Sequence, residues 1–137
     1  MSLSNYSENE LLDHLLGKGT RNFTSPSTLA VALFSAQTGT ESATDEPTFT
    51  EFANSNGYAR KAVTFGTAAL GSTKNSADVT FPTATGNQGT ATHIAVFDNL
   101  TYGAGNLLFY GALTASKTIQ TGDTFEIKTD NLTVNLD

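Results

Sequence analysis

From Gly57 onward the chain is a succession of short segments in which apolar and polar residues alternate, each closed by a turn-forming residue. GYARKAVTF, SADVTFPTATG, GTATHIAVFD, GNLLFYGAL, KTIQTGDTFEIKTD and NLTVNLD follow one another with little between them. A period of two sends successive side chains to opposite faces of a strand. Strands are predicted over residues 58–65, 77–81 (stopped by Pro82), 90–97, 107–113, 118–120, 124–128 and 132–136. In 90–97, Ile94 and Val96 share one face, with His93, Ala95 and Phe97 on the other. Many short strands with turn signals between them predict an all-β chain: a single antiparallel β-sandwich or jelly-roll-like domain. No repeat of fixed period suggests a solenoid or propeller.

Upstream, residues 4–16 read as one short N-terminal helix. Ser7 with Glu10 matches a capping box, and Ser4 is an equally good cap. Leu11, Leu12, Leu15 and Leu16 fall on one helical face, and Gly17 or Gly19 can end it. Such a face either packs on its own sandwich or anchors to a neighbouring subunit. Residues 28–34 (TLAVALF) are apolar on both faces, which predicts a central strand covered on both sides. Residues 35–56 are rich in Ser, Thr, Glu and Asp, and read as a long loop. Phe49 and Phe52 lie within it, either tucked onto the sandwich or packed on a partner. The expected division is a helical arm, 1–19, and a sandwich, 20–137.

A chain of 137 residues is long enough to bury an ordinary core without staples, and it has no cysteine. Net charge is −6, and Arg60-Lys61 is the only adjacent pair among seven basic residues. Counterion release from nucleic acid needs clustered cations, so no direct nucleic-acid partner is expected. The N-terminus MSLSNYSENE lacks the basic start and apolar run of a secretory signal. No apolar run approaches the ~20 residues of a membrane helix, so a soluble protein made in the cytoplasm is expected.

Little catalytic chemistry is legible. His14 and His93 are the two histidines; HExxH and GxSxG are absent. Each histidine reads as a half-buried residue with local hydrogen bonds. Asp98 with Asp123 or Asp130 is the best carboxylate pair for glycoside hydrolysis, but all three occupy turns, where Asp caps backbone. Glu41, Asp45, Glu46 and Glu51 match no calcium-loop spacing. GNQG and GAG read as hairpin turns, since no helix follows to make a phosphate cradle. No catalytic residue, cofactor or metal is expected, and the chain does not read as an enzyme. A shallow sugar groove using Tyr58, Tyr102 or Tyr110 would need no motif, and nothing in the sequence selects one.

The segments GYARKAVTF, NSADVTFPTATG, GTATHIAVFD, GNLLFYGALTASKTIQTGDTFEI and NLTVNLD, with the opening LSNYSENELLDHLLG and TSPSTLAVALFSAQTG, resemble a family of small bacteriophage virion structural proteins, often labelled tail-fibre proteins. The resemblance covers nearly the whole chain and brings no catalytic residue with it. It implies a virion protein, for which two roles are open. The expected one is a capsid cement (decoration) protein on the head surface. It would form a homotrimer and contact the major capsid protein and copies of itself. The alternative is a small tail or tail-fibre component involved in host attachment. In either role Leu11, Leu12, Leu15, Leu16, Phe49 and Phe52 are the expected interface anchors.

Overall fold

A computed structural model describes residues 1–18, 24–39 and 46–136. The order of elements is β1 (Ser2–Leu3), α1 (Asn5–Leu16), β2 (Leu29–Thr38), β3 (Thr48–Glu51), β4 (Lys61–Val63), β5 (Ser72–Lys74), β6 (Val79–Thr80), β7 (Gly89–Phe97), β8 (Leu107–Ile119), β9 (Glu126–Ile127) and β10 (Thr133–Asn135). Every ladder is antiparallel. The main sheet runs β1-β8-β7-β2-β3, and β4 pairs with β2 beside β3. Two ribbons, β5–β10 and β6–β9, complete the fold. The chain is therefore an all-β, sandwich-like domain with one short helix, as its alternating pattern predicts.

The strand faces sort the core. Val31 and Leu33 of β2 and Ile94 and Val96 of β7 point towards the ribbons. They pack there with Val79, Phe81, Ile127 and Leu132. The intervening residues Ala32, Phe34 and Ala95 form a second cluster with Tyr110, against which Phe49, Phe97 and Leu107 pack. β2 is buried on both faces, as expected of a central strand.

The segment 35–56 is not one long loop. β2 continues to Thr38 and pairs with β3 across a register shift between Phe34 and Ala36. Ser and Thr on both faces conceal the period of two, and the bulge resets it, so no alternation was readable here. Residues 40–45, between β2 and β3 in the sequence, lie outside the described residues, as does the arm–sandwich boundary expected at 19/20.

Residues 107–113 and 118–120 also form one strand, β8, instead of two. Between the pairs His93↔Ala112 and Ala91↔Lys117, residues 113–116 of β8 face only Thr92 of β7. This wide bulge breaks the alternation without breaking the strand.

α1 begins at Ser4, whose Oγ accepts from Ser7 N at 3.2 Å, and ends at Gly17 in the left-handed region with φ 61. Ser4 N also donates to Leu108 O at 2.9 Å, and Ser4 Oγ donates to Leu107 O. The register Ser2↔Tyr110 and Leu3↔Phe109 fastens the preceding strand to β8. The arm is thus held by backbone pairing and a polar cap. Leu12, Leu15 and Leu16 do not serve that purpose.

A two-residue turn joins Ala69 and Ser72, which exchange backbone bonds of 2.9 and 3.0 Å. Leu70 (φ 52) and Gly71 (φ 72) both adopt the positive φ that such a turn needs. Leucine is a poor residue for that conformation, and here it is fully exposed. Leu70→Asn is expected to raise the unfolding free energy by about 1 kcal/mol in urea titrations, by removing left-handed strain.

Candidate interaction surfaces

Arg60 stands in the GYAR run with its side chain only 2% exposed. Its Nε and Nη2 donate to the two carboxylate oxygens of Glu51, each at 2.9 Å. Nη1 donates to Asn99 O at 3.0 Å and Ala104 O at 2.8 Å. The guanidinium carbon lies 3.8 Å from the centroid of the Phe97 ring. A planar fork over an aromatic face, matched to one carboxylate, is the geometry arginine suits and lysine does not. Tyr58 Oη donates to Glu51 Oε1 at 2.9 Å and accepts from Leu33 N at 3.1 Å. Burial pushes the Tyr58 phenol well above its ordinary pKa. The group ties β2, β3 and the 98–106 loop together, and its polar atoms are committed to structure.

The strand-end carboxylates are committed too. Asp98 accepts from Asn106 N at 2.6 Å and from Asn106 Nδ2 at 2.8 Å, closing the β7–β8 loop. Asp123 accepts from Gln120 N at 2.9 Å in the turn after β8. Asp98 follows the last residue of β7, whereas Asp123 lies by Ile119, which pairs with Gly89 at its start. At ~3.3 Å per residue the two stand roughly 25 Å apart along β7. A glycosidic bond needs carboxylates ~5–10 Å apart, so these cannot flank one. Asp130 occupies an exposed turn with φ 68.

His93 Nδ1 lies 2.9 Å from Thr92 Oγ1, and its ring packs on Phe49 with centroids 5.8 Å apart. His14 sits in the last turn of α1. Of the acidic residues around 41–51, Glu51 pairs with Arg60 and Glu46 accepts from Asn5 N at 3.1 Å. Glu41 and Asp45 lie outside the described residues. No cluster of three or more potential metal ligands occurs among the described residues.

The six expected interface residues separate into two groups. Leu12, Leu15 and Leu16 are 55, 69 and 67% exposed, and Leu11 is half-buried on the same helix. Phe52 is 2% exposed and belongs to the main core, where its ring meets Tyr58 edge-on at 5.7 Å. Phe49 is half-buried against Phe34, His93 and Tyr110. Of the two places the sequence leaves open for these phenylalanines, Phe52 packs inside the sandwich and Phe49 lies against it, because β3 pairs with β2. Sequence reading also passed over the Glu51–Arg60–Tyr58 group. Its one signal was an arginine interrupting an otherwise strand-like run.

On the ribbon side, Asp78 accepts from Thr129 N at 2.7 Å, Thr129 Oγ1 at 2.8 Å and Lys128 Nζ at 3.1 Å. These donors, the Thr129 amide foremost, hold its carboxyl down at about 2. A depressed folded-state value contributes stability above the ordinary carboxylate pKa of ~4, and that contribution disappears as pH falls towards 2. Asp78→Asn is therefore expected to flatten the fall in thermal midpoint between about pH 4 and 2, measured by circular dichroism.

Two comparisons with known proteins bear on identity. No curated protein matches the chain. A family model described as Podophage GP4 fiber I protein gp80 matches residues 2–135. The chain belongs to that family. It is a bacteriophage virion structural protein. The match spans β1, α1 and the sandwich alike. The resemblance to small phage structural proteins, carried by GYARKAVTF and NLTVNLD, is shown by this match. The name also favours the tail-fibre alternative over the expected capsid-cement role.

Proposed function

We propose that the chain is a non-enzymatic subunit of the phage tail fibre, at or near the region that makes host attachment. The observation that carries this reading is the match of the fibre I family to residues 2–135. In support, the carboxylates best placed for hydrolysis are consumed in closing turns. Immunogold labelling or cryo-electron microscopy of the virion tests the location. Density at the tail, with a few dozen copies or fewer per particle, is the expected result. Label on the head at a copy number near that of the major capsid protein overturns it and restores the capsid-cement role.

The fibre subunit associates with copies of itself, as a homotrimer, through α1. The arm is fixed to β8 by strand pairing and by Ser4, so it presents Leu12, Leu15 and Leu16 outward on a rigid mount. Bringing such faces together in a closed ring removes apolar surface from water, worth ~25 cal/mol per Å². Leu15→Glu with Leu16→Glu is expected to leave the thermal midpoint of the monomer nearly unchanged while abolishing the oligomer in light scattering. An oligomer that survives the double substitution rules α1 out.

A further inference from the structure

Between the main sheet and the β5–β10 ribbon lies an apolar cavity of about 290 Å³. Leu29, Val96 and Phe109 line it from the sheet, and Val134 and Leu136 from the β10 side. Ala68, Gly71 and Leu136 are exposed, so it opens to the surface beside the 69–72 turn. Its polar side chains are committed elsewhere: Ser72 Oγ donates to Asn135 Oδ1 and Thr73 Oγ1 to Gly66 O, each at 2.7 Å. Among the described residues no charged side chain lines it. The volume lies under the ~300–1,000 Å³ of small-ligand sites, and the lining offers no uncommitted polar side chain to orient a ligand. What suits it is the end of an aliphatic side chain.

Leu70 stands at the opening, in the left-handed region with φ 52 and fully exposed. Both features burden an isolated molecule, because the backbone is strained and a whole aliphatic side chain meets water. An outlier that the fold does not need points to a use outside the fold. Fully exposed, Leu70 does not enter the cavity it borders. One face of the chain thus carries an aliphatic knob beside an aliphatic socket, the arrangement of a self-complementary contact. The charge pattern also selects a second copy. Net charge is −6, yet residues 64–74 and 131–136, which carry the turn and the ribbon wall, hold a single charged residue, Lys74. Copies can approach there without setting carboxylate against carboxylate, and interface centres are depleted of charge. The face adjoins the arm as well: Phe109, a wall of the cavity, pairs with Leu3, two residues before α1 begins.

We propose that Leu70 of one copy seats in this cavity of a second copy, adding an aliphatic contact to the one made by α1. The proposal rests on the reading that the subunit self-associates through α1. A single leucine buries far less than the ~800 Å² per partner of a stable interface. The contact therefore strengthens the α1 contact and does not replace it.

Sedimentation velocity of the purified full-length protein over a concentration series reads the association, and urea titration reads the fold. Leu70→Asn is expected to weaken association about tenfold or more, the effect of taking one leucine side chain out of a buried site. The same variant is expected to raise the urea midpoint, because the strain in the turn is relieved. These changes have opposite signs, which a leucine serving only its own fold could not give. Ala68→Phe, which fills the opening from an exposed position, is expected to weaken association as much without lowering the urea midpoint. Association unchanged in either variant overturns the proposal and leaves the α1 contact standing. A fall in the urea midpoint with Leu70→Asn also overturns it, since Leu70 would then belong to the fold. A parent protein that stays monomeric at every concentration overturns this proposal together with the α1 reading.

Discussion

Asn75→Leu is expected to lower the unfolding free energy by about 3–5 kcal/mol, although leucine has nearly the same size. Asn75 is wholly buried. Its Nδ2 donates to Ala77 O and Lys128 O, both at 2.9 Å, and its Oδ1 accepts from Leu132 N at 2.8 Å. Its backbone adds two bonds, from Asn75 N to Leu132 O at 3.0 Å and from Asp130 N to Asn75 O at 3.1 Å. The side chain thus stands in for a strand partner across the turn between β9 and β10. Leucine leaves the Leu132 amide and the Ala77 carbonyl without the partner that Asn75 supplies, at about 1–3 kcal/mol for each buried group, and takes one of two donors from the Lys128 carbonyl, which keeps Asn131 N at 3.1 Å. These terms are not additive, so the total falls below their sum. The drop corresponds to roughly 10–15 °C in thermal midpoint for a domain of this size. Urea titration followed by circular dichroism measures it. A loss under about 1 kcal/mol would show that water reaches the turn and satisfies the freed groups.

Glu51→Ala is the second large effect, also about 3–5 kcal/mol. The mechanism differs, because it concerns charge. Arg60 and Glu51 side chains are 2% and 12% exposed, and they meet in a two-pronged contact. Removing the carboxylate strands a guanidinium in the interior and leaves Tyr58 Oη without its acceptor. Arg60→Met alone strands the carboxylate, with a loss of the same order. The double substitution removes both charges and is expected to recover much of either loss, because an apolar pair incurs no desolvation of charge. A double-mutant cycle by urea unfolding reads the coupling. Additive losses would mean that the two side chains do not depend on each other. Added salt is expected to change the coupling little, since buried pairs are weakly screened.

The two effects fall where sequence reading was least informative. Asn75 stands between Lys74 and Ser76 in a polar stretch, and nothing local distinguishes it from a surface residue. Its importance comes from Lys128 and Leu132, more than fifty residues away. Arg60 was visible as an arginine in a strand, but Glu51 sat in what reads as a polar loop. The same loop concealed β3, because Thr48 and Thr50 alternate with Phe49 and Glu51 too briefly to stand out. Phe52 stays between two readings for the same reason. An aromatic in a polar run signals burial without saying whether the cover is the chain's own sheet or a partner.

The alternating pattern alone determined the antiparallel all-β class, the facing of Ile94 and Val96 against Ala95 and Phe97, and the burial of β2 on both sides. Strand periodicity is local, so it can be read residue by residue. Ser4, Gly17 and the leucines likewise fixed the single helix, because capping and helical spacing are local. Only the tertiary structure decided which apolar residues face water. α1 is held by β1 and by Ser4, and Leu12, Leu15 and Leu16 stay exposed, while Phe49 and Phe52 are folded inward. Only the tertiary structure gathered Glu51, Tyr58 and Arg60 into one buried group. Burial and site formation depend on contacts between distant segments, and a linear pattern carries no distance.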